Sequence, residues 1–196
     1  AKAKTPIKSK SGPKVKGTTK KIEPSFVPQP KETKEHGVVV LITGGFDPLH
    51  SGHLEYIEAA KELGKNDSWF GSKVVVGVNS DEWLTRKKGK SFMKEQERAF
   101  IMSNLKAVDW VYIMNPKDHS DKTAIDFIDA ARQRYIRKNG ELPKGVMAFG
   151  NGGDRTETTT PENDTCDSYG ISSVWGLGEK VQSSSWLLEK YLNIAE

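Results

Sequence analysis

Two histidines, His50 and His53, close the stretch Thr43-Gly44-Gly45-Phe46-Asp47-Pro48-Leu49-His50-Ser51-Gly52-His53. Imidazoles donate hydrogen bonds to phosphate oxygens, and neither ring has to act as a nucleophile to do so. Glycines let main chain come close to a ligand. Behind them Leu54, Ile57 and Ala60, with Tyr56, Ala59 and Leu63, recur at helical spacing, so the HxGH pattern falls at a helix start. A helix N-terminus contributes free N–H groups and a partial positive charge. These features suit a phosphoryl or nucleotidyl group in transfer, which is stabilised by positioning and electrostatics. Metal binding is the weaker reading, because H-x-x-H has neither the i, i+4 spacing nor the glutamate of a zincin. No metal ligand is assigned.

Such a motif needs a strand ahead of it and a sheet around it. Val38-Val39-Val40-Leu41-Ile42 is a continuous apolar, β-branched run, as expected for a strand buried on both faces of a parallel sheet. Further strands are predicted at 74–78, 110–113, 145–149 and 171–175. Helices are predicted at 51–63, 94–104, 122–137 and 183–192, with Phe100 and Ile101 among the buried positions of the second. Strands alternating with helices predict an α/β, Rossmann-like, parallel five-stranded sheet with helices on both faces. Ligands of such sheets sit at the carboxyl ends of the strands.

Several blocks in order then carry a resemblance. The HxGH stretch, Val76-Gly77-Val78-Asn79-Ser80-Asp81-Glu82, Glu95-Gln96-Glu97-Arg98, Phe149-Gly150-Asn151-Gly152-Gly153-Asp154 and Gln182-Ser183-Ser184-Ser185 resemble the HxGH superfamily of cytidylyltransferase-like nucleotidyltransferases. That superfamily includes glycerol-3-phosphate cytidylyltransferase and the heptose-phosphate adenylyltransferase domain. The block Ala107-Val108-Asp109-Trp110-Val111 is similar to the heptose-type members.

The resemblance implies attack by an acceptor phosphate on the α-phosphate of CTP or ATP, with Mg²⁺ held through the nucleotide phosphates. It implies catalytic roles for His50, His53 and Lys88. Nucleotide contacts are expected from Gly44, Gly45, Phe46, Asp47, Gly52, Asp154, Gln182, Ser183 and Ser184. The run Arg86-Lys87-Lys88-Gly89-Lys90 resembles a mobile basic loop that folds over the phosphates, and Arg86, Lys87, Arg98 and Lys180 are expected at the acceptor or its phosphate. Small members are frequently dimers, so the resemblance also implies a homodimer. Gly45 stands where the cytidylyl branch has threonine, and Gly178-Glu179-Lys180-Val181 replaces its Arg-Thr-Glu-Gly, so base and acceptor stay open.

Outside this region the composition changes. Residues 1–36 hold ten lysines, three glutamates and five of the nine prolines, a formal +7 against +4 for all 196 residues. The basic balance therefore belongs to this segment, and residues 37–196 form the expected nucleotidyltransferase-like domain. Few apolar residues interrupt the segment, so it reads as an extended arm that cannot offset its own ordering entropy. A protein partner or large assembly would suit such an arm. Its lack of arginine and its single aromatic, Phe26, argue against nucleic acid. A structural or assembly protein that keeps the fold as a module is accordingly the alternative to an enzyme. No apolar run approaches the roughly 18 to 20 residues that cross a bilayer, and Cys166, read as a packing residue, has no cysteine to pair with. The expectation is a cytoplasmic protein, or part of a particle assembled there. His119 reads as an exposed loop residue, and Trp175 and Trp186 as packing residues.

Overall fold

Residues 39–42 alternate strictly between two apolar surfaces. Val40 and Ile42 enter one core with Ile57, Ala60, Val76, Met102 and Val111. Val39 and Leu41 enter the other with Phe127, Ile128, Ala131, Phe149 and Cys166. A strand buried on both sides needs helices on both sides, and that is the architecture of the computed structural model. It describes residues 37–64, 72–115, 123–153, 155–178 and 182–194. The expected arm at 1–36, together with His119, Asp154 and Lys180, lies outside the described residues.

Five strands, β1 (Val39–Gly44), β2 (Lys73–Asn79), β3 (Trp110–Met114), β4 (Met147–Gly152) and β5 (Ser172–Leu177), form one sheet in the order β3-β2-β1-β4-β5. All four pairings are parallel, with Val39 in register with Lys73 on one side and with Met147 on the other. The chain builds outward from β1 through β2 to β3, then returns to β1's free side with β4 and β5. That reversal opens a crevice outside the carboxyl ends of β1 and β4.

The helices are α1 (Ser51–Glu62), α2 (Asp81–Lys88), α3 (Glu95–Ser103), α4 (Ile125–Asn139), α5 (Asn163–Tyr169) and α6 (Ser184–Ile194). Residues of α1 and α3 pack on the first core, those of α4 and α5 on the second. Cys166 is fully buried there, and burial pushes its thiol up to about 11, so it packs as an apolar group. Among the described residues no helix is long and apolar enough to cross a membrane.

Three expectations need correction. The run expected as a mobile basic loop is the last turn of α2, closed by a left-handed Gly89 whose N–H donates to the Thr85 carbonyl. Asp81 and Glu82 in the first turn and three cations in the last complement the helix dipole. Leu84 is its one buried residue, so no apolar periodicity announced it. Second, α3 turns Arg98, Ala99 and Met102 inward and leaves Phe100 55% exposed, because the stripe facing β2 and β3 is not its most apolar one. Third, α5 is a further helix whose sequence NDTCDSY offers little apolar signal.

Candidate functional site

At the carboxyl end of β1 the chain turns sharply. Phe46 adopts φ 51°, a left-handed value uncommon outside glycine, and its ring folds back over Gly44. A Cβ on Gly44 would lie 2.8 Å from Phe46 Cζ, and one on Gly45 would lie 2.9 Å from Leu84 Cδ2. Both glycines are thus demanded by packing as well as by the crevice they line. The Asp47-Pro48 peptide is cis.

This turn sets His50 as the residue that begins α1, with extended backbone and no side-chain cap. The first turn of α1 carries no acidic residue either. By contrast α2 is capped by the Ser80 hydroxyl, which accepts from Trp83 N. An uncapped helix start leaves N–H groups for an external acceptor. Gly52, expected at the nucleotide, is the second residue of this turn.

The two imidazoles stack with ring centroids 3.7 Å apart and planes 21° from parallel. Phe46 backs His53 edge-on at 5.0 Å. Burial, followed by the charges of His50 and Lys88, pushes His53 down to about 3. Burial and Lys88 lower His50 as well. At neutral pH both rings are therefore uncharged, each with one N–H to donate. Among the described residues, the Nδ1 atoms of both are buried without a hydrogen-bond partner.

A cavity of about 300 Å³ opens over the β1–β4 crevice, lined by Gly44, Gly45, His53, Lys88, Asn151 and Arg155 among others. Lys88 is drawn below its usual range by burial, while Asp47 opposes that effect and Arg98 reinforces it. Lys87 lies over the Trp83 ring at 4.7 Å, and Trp83 walls the same cavity. A second, smaller cavity of about 210 Å³ adjoins it at the end of β3 and shares Asn79, Trp83, Met114 and Thr123.

Several residues expected at the ligand make bonds within the fold, Ser184 while lining the larger cavity. Asp47 is 1% exposed, and its carboxylate accepts from Phe92 N at 2.6 Å and Met93 N at 2.7 Å. Arg98 is 1% exposed and donates to the carbonyls of Met93, Gly45 and Asn79 and to the Asp81 carboxylate. It braces the turn after β1 and holds no surface position from which to meet an acceptor. The Ser183 hydroxyl accepts from Trp186 N, the Gln182 side chain accepts from Ser183 N, and Ser184 Oγ donates to the Pro48 carbonyl. That last bond docks α6 on the histidine turn. Arg86 is exposed at the end of α2. Trp175 donates to Thr160 Oγ1, whereas Trp186, expected to pack, is 54% exposed.

Sequence reasoning missed Tyr56, Asn79, Trp83, Arg155 and Glu162, all of which line the larger cavity. Tyr56 had a legible signal, lying three residues after His53 on the same helix face. Its hydroxyl donates to the Gly150 carbonyl at 2.7 Å, which clamps α1 to β4.

A family model described as cytidylyltransferase-like matches residues 41–165, from β1 into α5. Bifunctional protein HldE of Syntrophotalea carbinolica is 33% identical over 141 residues, covering 71% of this chain and 24% of that protein. Bifunctional protein HldE of Helicobacter pylori is 33% identical over 129 residues, covering 63% of this chain and 25% of that protein. The chain thus spans about a quarter of the length of these relatives. The crystal structure of a lipopolysaccharide core biosynthesis protein from Thermoplasma volcanium aligns over 74% of this chain and 99% of its own, at 22% identity and a TM-score of 0.48.

Proposed function

The chain belongs to the cytidylyltransferase-like family, and on that premise we propose that it is a nucleotidyltransferase. It moves CMP or AMP from a nucleoside triphosphate to a phosphorylated sugar or polyol and releases pyrophosphate. The observation that carries this reading is the stacked, uncharged histidine pair at the uncapped start of α1, beside Lys88 and above the crevice. An oxygen of the acceptor phosphate attacks the α-phosphorus, and the bond to the pyrophosphate oxygen breaks. Charge then grows on the leaving oxygens. The imidazole N–H groups, the α1 amides and the Lys88 ammonium meet that charge without reorganising, which is where such sites gain most of their rate. Neutral rings suit this task, because the step needs fixed donors and no proton transfer from the protein.

The larger cavity is read as the triphosphate site. The smaller one, where Asn115 and Asp126 face Trp83 and Tyr112, is read as the acceptor site. A phosphorylated sugar is favoured by the heptose-type block at 107–111 and by the HldE relatives. Magnesium belongs to this reading as an ion carried on the triphosphate oxygens. The described residues offer it no protein cage: no three His, Cys, Asp or Glu side chains group together, and Asp47 is engaged by backbone.

The test is pyrophosphate release by the full chain with magnesium, each of CTP, ATP, UTP and GTP, and a panel of sugar and polyol phosphates. Release with one pair is the expected result. Absence of release with every pair would overturn the reading.

A further inference from the structure

Opposite α1 and α2, the wall of the larger cavity comes from the segment after β4. Its residues are tied closely to one another. The Thr156 and Thr159 side chains cap the 3-10 turn Glu157–Thr159 reciprocally, Thr160 Oγ1 donates to the Thr156 carbonyl, and Asn163 Nδ2 donates to the Glu157 carbonyl. Trp175 on β5 holds Thr160 from outside. This frame presents Arg155 and Glu162 side by side at the cavity.

Glu162 is 1% exposed, and its Oε1 accepts from Ala124 N at 2.8 Å, ahead of α4. Its Oε2 is buried without a hydrogen bond and faces Arg155 Nη1 at 3.5 Å. A buried carboxylate is costly, and a neutral amide would accept from Ala124 N equally well. What the carboxylate adds is a fixed counter-charge for a guanidinium. Arg155 itself is 39% exposed on its side chain, and its contact with Glu162 is longer than the about 2.7–2.9 Å of a tight charge-assisted bond. Its field also reaches the Tyr56 phenol, one helical turn from His53. Among the charged residues that line the cavity, Lys87, Lys88 and Arg155 outnumber Glu162.

We propose that Arg155 is a further anion-binding residue of this cleft, gripping the phosphate chain from the β4 side, and that Glu162 is the positioning residue that aims it. This deepens the reading of the larger cavity as a triphosphate site and rests on it. Guanidinium matches phosphate oxygens in a planar fork, so Arg155 sets orientation where Lys88 supplies point charge.

The experiment measures binding of inorganic tripolyphosphate to the full chain by calorimetry, beside pyrophosphate release under the panel above. Arg155→Ala is expected to weaken tripolyphosphate by about tenfold to a hundredfold, the range of a charged hydrogen bond; because it also strips the buried Glu162 carboxylate of its counter-charge, the unfolding midpoint falls and affinity is measured where the variant is fully folded. Arg155→Lys should recover part of that loss. Glu162→Gln keeps an oxygen for Ala124 N, removes the charge facing Arg155, and should weaken binding less than Arg155→Ala. In the Arg155→Ala background the same change should add nothing, because Glu162 acts through Arg155. Unchanged affinity in Arg155→Ala overturns the proposal even where turnover is normal. Equal and additive losses from Glu162→Gln in both backgrounds overturn the positioning role. An Arg155-dependent affinity in protein that turns over no triphosphate would keep this anion site and remove the enzymatic reading instead.

Discussion

The end of α2 and the start of α3 carry similar cations in similar company, and the fold treats them in opposite ways. Lys88 lies in the last turn of a helix with one buried residue, at the edge of a cavity and within electrostatic reach of both histidines. Arg98 lies ten residues on, with its side chain wholly buried. Its guanidinium meets Met93 O at 3.0 Å, Gly45 O at 2.7 Å, Asn79 O at 2.8 Å and Asp81 at 2.9 Å. Three of those acceptors are backbone carbonyls, two where strands end and one just ahead of α3. A positive charge next to a phosphate-binding motif can thus be consumed by the scaffold that shapes the motif. What decides is the supply of unsatisfied carbonyls around it.

Five measurements test that contrast. Arg98→Ala should have the largest effect, a loss of about 3–5 kcal/mol of unfolding free energy, because the Asp81 carboxylate and three carbonyls lose their partner together. Urea unfolding reads it, and a variant as stable as the parent would place Arg98 among the exposed cations. His53→Ala should leave the fold intact and cut turnover by about two orders of magnitude or more, the scale of one transition-state donor. Unchanged kinetics would remove His53 from the chemistry.

The same residue has a pH signature. Its folded value of about 3 lies below the ordinary 6.5, so between those values the unfolded chain takes up a proton that the folded chain refuses. Stability should therefore fall as pH drops from 6.5 toward 3, and His53→Asn should flatten that part of the profile. An identical acid slope in both proteins would contradict the buried, uncharged ring.

Lys88→Ala should cost about tenfold to a hundredfold in turnover, in line with one charged hydrogen bond, with no change in the unfolding midpoint. An effect on stability comparable to that of Arg98→Ala would erase the distinction between the two regions. Smallest of all, Arg86→Ala on the exposed side of α2 should shift stability by no more than about 0.5 kcal/mol and leave turnover alone. A loss of turnover there would extend the anion site beyond the cavity.

The legible part of the molecule is the part written in local chemistry. The apolar run at 38–42, the glycines, and the histidine pair before a helical stripe are features of neighbouring residues, and β1, the turn and α1 follow from them. Elements with weak apolar content were not legible. The segments DEWLTRKK and NDTCDSY become helices because Leu84 and Cys166 each find a buried site, which no periodicity within eight residues reveals. The face of α3 was equally hidden, since Phe100 is 55% exposed while the charged Arg98 is buried beside Met102.

The parallel α/β architecture, the family and the histidine pair at a helix start were thus all readable from the residues alone. Each of these rests on patterns a few residues long, repeated in order. Only the tertiary structure decided which polar groups are spent on the fold. Asp47, Arg98, Ser183 and Ser184 each meet a backbone partner, and all but Ser183 reach one more than forty residues away in the chain. It also brought Arg155 and Glu162 to the cavity from beyond β4. A side chain's type states what it can bond to, but the partner it meets is set by how the sheet orders its strands.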